Sequence, residues 1–275
     1  MENNFNFNFH ETFYPNIEYI SRILELGSKK FIGTKENISY ETGIPTGNAS
    51  GKVRPHIKYA KYMGLIDYDI KDSNYYLCLT DLGKLVYMED KYLLENLTKY
   101  LIHYMLTDKR RGAPQWSFFF REFEHNLNEK ISLKYIKDKA KLHFGKEIEL
   151  GVVKNTYLKD DSLGSLKLIE EQEDQSIIFR KSKIQIEFIF MYAYCLLKSW
   201  ENTLSQNVKE ITMDILENDI SFTKAFGFEI FELDEILAEL QRYNYITINK
   251  QLTPVTIIKN VSANEILNMI YSLLI

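Results

Sequence analysis

Apolar positions along this chain recur at two spacings, and the switches between them mark its elements. Near the start, Ile17, Ile20, Ile23 and Leu24 share one helical face and Gly27 closes the run, which predicts a first helix. Asn37 to Thr42 predicts a short second helix, Gly43-Ile44-Pro45-Thr46-Gly47 breaks it, and a third helix carries Pro55 in its first turn. Met63-Gly64-Leu65-Ile66 ends that helix and opens a strand. Lys71-Asp72-Ser73-Asn74 then turns, and Tyr75 to Leu79 returns as a second strand. Two helices joined by a turn and followed by a hairpin give the pattern of a winged helix-turn-helix. Thr80-Asp81-Leu82-Gly83 predicts the cap of a further helix, with Leu82, Leu85 and Val86 facing inward.

Helical spacing runs on from Tyr92 to His143. Leu94, Leu97, Leu101, Tyr104 and Met105 form one stripe, Lys109-Arg110-Arg111-Gly112-Ala113-Pro114 interrupts it, and Trp116, Phe119, Phe120 and Phe123 follow. So many aromatic residues in a helical region point to core packing in preference to base stacking. Thr156 to Leu168 reads as an irregular link, Glu173-Asp174-Gln175 as the turn of a short hairpin, and Lys183 to Trp200 as a long apolar helix. The last segment repeats the opening, with helices at Val208 to Leu216 and Leu233 to Tyr243 and strands at Tyr245 to Asn249 and Val255 to Ile258. The expected fold is therefore mainly α with small β-hairpins. It comprises an N-terminal winged helix-turn-helix module (residues 1–90), a helical middle domain (91–200) and a C-terminal winged-helix-like unit (201–275).

Composition sharpens this picture at a few points. With 275 residues, 45% hydrophobic and 26% charged, the chain has the balance of a globular protein and the length for two or three cores. A formal net charge of −4 gives no global attraction to nucleic acid, so any such site must be a local concentration of cations. One exists: the third helix carries Lys52, Arg54, Lys58 and Lys61, with no acid before Asp67. In a helix-turn-helix the start of the second helix of the motif meets base edges while flanking groups hold phosphates. Thr46, Asn48 and Ser50 are short hydrogen-bonding residues at that start, and Gly47 and Gly51 let the backbone come close. Asn48 suits an adenine edge and Arg54 a guanine, and Lys71 at the wing turn completes the candidate set. The alternative for such a motif is a domain or dimer contact. The corresponding C-terminal helix carries Asp234, Glu235 and Glu239, the wrong sign for phosphate, which suits protein contact or structural support. Lys130, Lys134, Lys137 and Lys141 fall on one helical face, with Lys109-Arg110-Arg111 as a neighbouring basic run. They read equally as an extension of a DNA track or as a solvated surface.

Catalytic signals are sparse. A metal-dependent nuclease gathers carboxylates around a divalent ion, Mg2+ or Mn2+. The weak candidates are His10 with Glu11, flanked by Phe9 and Phe13, and Asp160 with Asp161; Glu170 and Glu171, or Glu147 and Glu149 with Lys154, are further acids without diagnostic spacing. No P-loop, dinucleotide fingerprint, nucleophile elbow or zinc pattern is present. Cys78 and Cys195 read as buried free thiols. The alternation of Asn and Phe at the start is not a secretory signal and no apolar run reaches membrane length, so a soluble cytoplasmic protein is expected.

Five short runs, Phe9-His10-Glu11-Thr12-Phe13, Ile44-Pro45-Thr46-Gly47, Ser50-Gly51-Lys52-Val53, Met63-Gly64-Leu65-Ile66 and Leu79-Thr80-Asp81-Leu82-Gly83, occur in this order. Together with Trp116 to Phe120 and with Tyr157-Leu158 before Ser162-Leu163, they resemble the bacterial domain of unknown function numbered four thousand and seven over nearly the whole chain. That resemblance implies a component of DNA phosphorothioation or related defence clusters, in the company of a cysteine desulfurase, an ATPase and a sulfate-reductase-like enzyme. It also implies DNA work, with strand nicking as the role given to a subunit of this type in single-strand systems. It transfers no active-site residue. The expected partners are duplex DNA, a defence ATPase and the sulfate-reductase-like enzyme, with a homodimer left open. The functions in contention are a nicking endonuclease, a non-catalytic sequence-specific regulator or positioning subunit, and a protein-protein adaptor.

Overall fold

Asn16 starts the first helix by accepting a hydrogen bond from the Tyr19 amide, and α1 (Ile17–Ser28) follows with Ile17, Ile20, Ile23, Leu24 and Leu26 buried. The computed structural model describes residues 6–47, 51–204, 207–251 and 253–274. After β1 (Ile32–Gly33), Thr34 and Asn37 form a reciprocal cap that opens α2 (Lys35–Thr42), and Gly43 in the left-handed conformation ends it. Next come α3 (Val53–Tyr62), β2 (Ile66–Lys71) and β3 (Asn74–Leu79). Lys71 pairs with Asn74, so Asp72 and Ser73 alone make the turn, both with positive φ, the geometry that matches the twist of a tight hairpin. β1 pairs with the other edge of β3, giving the order β1-β3-β2. The helix-turn-helix with a wing is thus formed as expected.

The same strand order recurs twice more among the described residues. In the middle, α5 (Asn96–Leu106) and α6 (Pro114–Ser117), which continues as a π-helical stretch over Phe118–Glu122, precede β4 (Lys130–Ser132), α7 (Leu133–Phe144) and α8 (Gly151–Leu158). β5 (Ile169–Glu171) and β6 (Ser176–Phe179) then close a sheet of order β4-β6-β5. Toward the C-terminus, α9 (Ile189–Thr203) leads to β7 (Glu210–Thr212), a π-helical stretch over Ile215–Ile220 and α10 (Phe222–Phe226). Then come α11 (Ile230–Arg242), β8 (Ile246–Asn249) and β9 (Thr256–Lys259), in the order β7-β9-β8. α12 (Ala263–Ile266) packs back on α9. The chain is mainly helical with small antiparallel sheets, and its helical middle region is itself built on the winged-helix order.

Some expected boundaries move, each for a local reason. Helical spacing does not persist to His143, because Lys130–Ser132 pairs with β6 and Ser132 caps a new helix by accepting from the Tyr135 amide. Val208 to Leu216 is not one helix, since Ile211 pairs with Ile257 in β7 before the π-helical stretch begins. Cys195 is buried, but Cys78 is exposed: alternation along β3 turns Leu77 inward and Cys78 outward. None of the described helices is long and apolar enough to cross a membrane.

A continuous apolar core runs through all three regions, with Trp116, Phe119, Phe120 and Trp200 inside it. Polar contacts also bolt the regions together. His103 on α5 meets the Tyr157 hydroxyl of α8 at 2.7 Å and the Ala225 carbonyl of α10 at 2.5 Å. Arg121 is 1% exposed, donates to Thr107 Oγ1 and to the carbonyls of Tyr104 and Ile220, and lies over the Tyr104 ring. A buried guanidinium needs its donors occupied in this way, and here they span the middle and C-terminal regions.

Thr80 accepts from the Gly83 amide to start α4 (Asp81–Glu89), which brings Gly83 so close to the residue before β2 that a Cβ there would sit 1.8 Å from the Leu65 carbonyl oxygen. Backbone cannot yield as a flexible side chain can. Gly83→Ala should therefore lower stability by roughly 1–3 kcal/mol, read as an earlier midpoint in urea unfolding; an unchanged midpoint would show that α4 moves freely.

Candidate nucleic-acid interface

α3 is fixed by what it buries. Val53, Pro55, His56, Ile57, Tyr59 and Ala60 all face inward, and the helix packs on α1, α2, β2 and α5. The segment before α1 covers it further: the Phe9 ring lies 5.1 Å from Tyr59 and 4.7 Å from Tyr62, and the Tyr59 hydroxyl donates to the Phe13 carbonyl. Outside that packed face lie Arg54 and Lys61, both exposed, and Lys58, half-buried, spaced i, i+7 and i+4 along one stripe.

The turn in front of α3 is tied as firmly. The Lys52 amide donates to the Pro45 carbonyl at 2.8 Å, and Lys35 Nζ donates to the Gly47 carbonyl at 2.7 Å. Gly51 lies against Thr46 so closely that a Cβ would stand 2.6 Å from the Thr46 Cα. Thr46, Gly47 and Gly51 therefore lie close against one another. Asn48 and Ser50, expected to reach bases, lie outside the described residues.

The cations differ in availability. Lys58 has no ion-pair partner among the described residues. Arg54 lies near the Tyr75 hydroxyl, whose pKa is raised first by burial; the Glu11 and Glu36 charges push the same way and Arg54 opposes them. Lys61 pairs with Asp67 at 3.3 Å, both side chains about half exposed or more. Such a surface pair contributes at most about 1 kcal/mol, too little to prevent a phosphate from replacing Asp67. Lys52 is partly buried, its ammonium over the rings of Phe13 and Tyr19, and it serves the helix start more than the outward stripe. Lys71 lies over Tyr76 on a wing that also exposes Asp67, Asp69 and Asp72, so the wing carries more negative than positive charge.

His56 connects this helix to the rest of the molecule. Its Nδ1 lies 2.6 Å from the Lys52 carbonyl and its Nε2 accepts from the Asn16 amide, so the neutral ring bears its proton on Nδ1. The Asn16 side chain in turn donates to Asp161, whose carbonyl accepts from the Ile17 amide at 2.9 Å. Asp161 is thereby a clamp between the loop after α8 and the start of α1.

The weak catalytic candidates do not converge. His10 is 2% exposed, its Nδ1 accepting from the Thr12 amide and its Nε2 lying 3.2 Å from Gln115 Nε2, while Glu11 is half-buried at a positive-φ position. Asp160 is exposed and Asp161 is engaged as described. Glu170 pairs with Arg180, Glu171 with Lys154, Glu147 with Lys141 and Glu149 with Lys137. Among the described residues no group of three or more His, Cys, Asp or Glu side chains could hold a metal ion, so the donor set does not fit a Mg2+ or Mn2+ centre. Two members of the second lysine stripe, Lys137 and Lys141, are engaged in those pairs.

The three helices in the recognition position differ accordingly. α3 presents cations, α8 presents Lys154 already paired with Glu171, and α11 presents Asp234 and Glu235. Sequence reading missed α8 because the strands that frame it are only three or four residues long.

The family model for a protein of unknown function (DUF4007) matches residues 7–271. The chain belongs to that family. The magnesium-ion-bound crystal structure of SspB aligns with a TM-score of 0.77 at 16% identity, over 96% of this chain and 87% of that one. A second SspB crystal structure aligns with a TM-score of 0.74 at the same identity and coverage. At this identity the likeness establishes the shared fold. No curated protein sequence gives a significant match.

His56 contributes a pH dependence to the stability of this DUF4007 chain. Burial, opposed by the Lys52 carbonyl and reinforced by the Lys52 charge, lowers the His56 pKa from 6.5 to about 4. A depressed folded pKa means that the unfolded chain binds the proton first. The stabilisation is full above pH 6.5, shrinks as pH falls toward 4, and changes no further below. Urea unfolding should show a loss of about 2 kcal/mol from this group between pH 7 and pH 5, with a shallower slope for His56→Gln. Equal slopes in the two proteins would place the titration elsewhere.

Proposed function

We propose that this protein is a non-catalytic DNA-binding or DNA-positioning component of a bacterial phosphorothioation or related defence system, engaging duplex DNA through the outward face of α3. The observation that carries the reading is the stripe of Arg54, Lys58 and Lys61 on a helix otherwise buried, against an acidic net charge. Thr46, Gly47 and Gly51 would bring backbone to a phosphate, and Asn48, Ser50 and Arg54 would meet base edges. Lys52 would add long-range attraction from the helix start, while Lys71 would contribute least because of its acidic wing. Membership of the DUF4007 family and the SspB-like fold support the link to phosphorothioation, with a defence ATPase and a sulfate-reductase-like enzyme as partners. The exposed face of α11, with Phe231, Asp234 and Glu235, suits a protein partner in such an assembly.

Strand nicking is the second reading, brought by the family resemblance alone. The dispersed carboxylates weigh against it, and the positioning role needs none of them.

Replacing Arg54 and Lys58 with alanine should weaken duplex binding and reduce the salt slope by about one unit for each phosphate no longer neutralised, measured by gel shift across a salt series. Unchanged affinity would remove α3 as the interface. Supercoiled plasmid incubated with the full chain and magnesium or manganese should remain supercoiled; conversion to the open circle would move the assignment to nickase.

A further inference from the structure

Lys61 is both the last cation of the α3 stripe and part of the wall of a cleft of about 450 Å³ between the N-terminal unit and the C-terminal region. Arg111 enters this cleft from the turn after α5, Lys198 and Asn202 from α9, and Asn264 from α12. Its lining sets Lys61, Arg111 and Lys198 against Asp67, Asp81 and Asp108, and the carboxylates have partners of their own. Asp81 pairs with Lys84 at 2.8 Å. Asp108 is 3% exposed and is occupied by Ser199 Oγ and by the amides of Arg110 and Arg111, which holds the turn that delivers Arg111. Asp67 faces Lys61. Arg111 and Lys198 form no ion pair among the described residues, although the Lys198 charge is felt at Asp81. The side-chain amides of Asn202 and Asn264 likewise make no hydrogen bond among the described residues.

Two uncommitted cations beside two uncommitted carboxamides match the parts of a nucleotide: a phosphate to neutralise and a base edge that both donates and accepts. The volume admits one nucleotide and excludes a duplex, whose groove geometry needs a convex reader. We propose that the cleft receives a single unpaired nucleotide from a strand lying along α3, its phosphate held by Arg111 and Lys198 and its base edge read by Asn202 and Asn264. This rests on the duplex-binding reading above and adds to it a preference for DNA with an extruded or bulged nucleotide.

The test compares a fully paired duplex with the same duplex carrying one bulged nucleotide, titrated by fluorescence anisotropy against the full chain and against the Arg111→Ala/Lys198→Ala variant. The wild-type chain should favour the bulged duplex on the order of tenfold, and the variant should bring the ratio to about one. Equal affinities in the wild-type chain, or a ratio retained in the variant, overturn the inference and leave duplex binding standing. Absence of any duplex binding by the wild-type chain overturns the duplex reading and this inference together. Should the variant bind neither DNA, Asn202→Ala/Asn264→Ala is judged by the same ratio.

Discussion

The burial of α3 is the constraint from which the rest follows. A helix advances about 100° per residue, so packing Val53, Pro55, Ile57, Tyr59 and Ala60 against α1, α2, β2 and α5 leaves one narrow stripe outward. Rotation by one residue would drive Arg54 or Lys58 into the core, and an unpaired buried cation costs several kcal/mol. The apolar residues thus decide where the cations face. Their sign relative to the whole molecule then gives that stripe its meaning.

This helix is not held by its own unit alone. Phe9 reaches it from the segment before α1, His56 bonds to Asn16, and Asn16 bonds to Asp161 in the loop after α8. Arg121 and His103 continue the connection from α5 to α10 and the π-helical stretch over Ile215–Ile220. A helix fixed through two other regions presents its stripe at one orientation to the body. That rigidity suits the proposed role of placing DNA relative to something else.

The N-terminal unit was largely legible because its signals are local. Gly43 marks a helix end, Lys71-Asp72-Ser73-Asn74 is a turn with a chemical reason, and Thr80 caps the next helix through Gly83. The C-terminal repeat was visible in its hairpin but not in β7, where a three-residue strand gains its identity only by pairing with β9. β4 escaped for the same reason, and with it the recurrence of the strand order in the middle region. At the site, spacing gave the Arg54, Lys58 and Lys61 stripe, whereas nothing in the sequence indicated that Asp161 is a clamp or that His10 is buried against Gln115. Those facts depend on partners more than a hundred residues away.

Three units of like topology with unlike surfaces show how little the scaffold by itself specifies. In each, a buried helix face and a three-stranded sheet satisfy the core, leaving the outward positions of the helix free to vary without harm to the fold. At α3 those positions are cationic, at α8 the lysine is tied inside the unit to Glu171, and at α11 they are acidic with an exposed Phe231. On the proposed function, the opposite signs of α3 and α11 would favour phosphate at the first helix and disfavour it at the second. A strand attracted to α3 would then be oriented before any base is read, and the acidic unit would be left for a partner that is not nucleic acid.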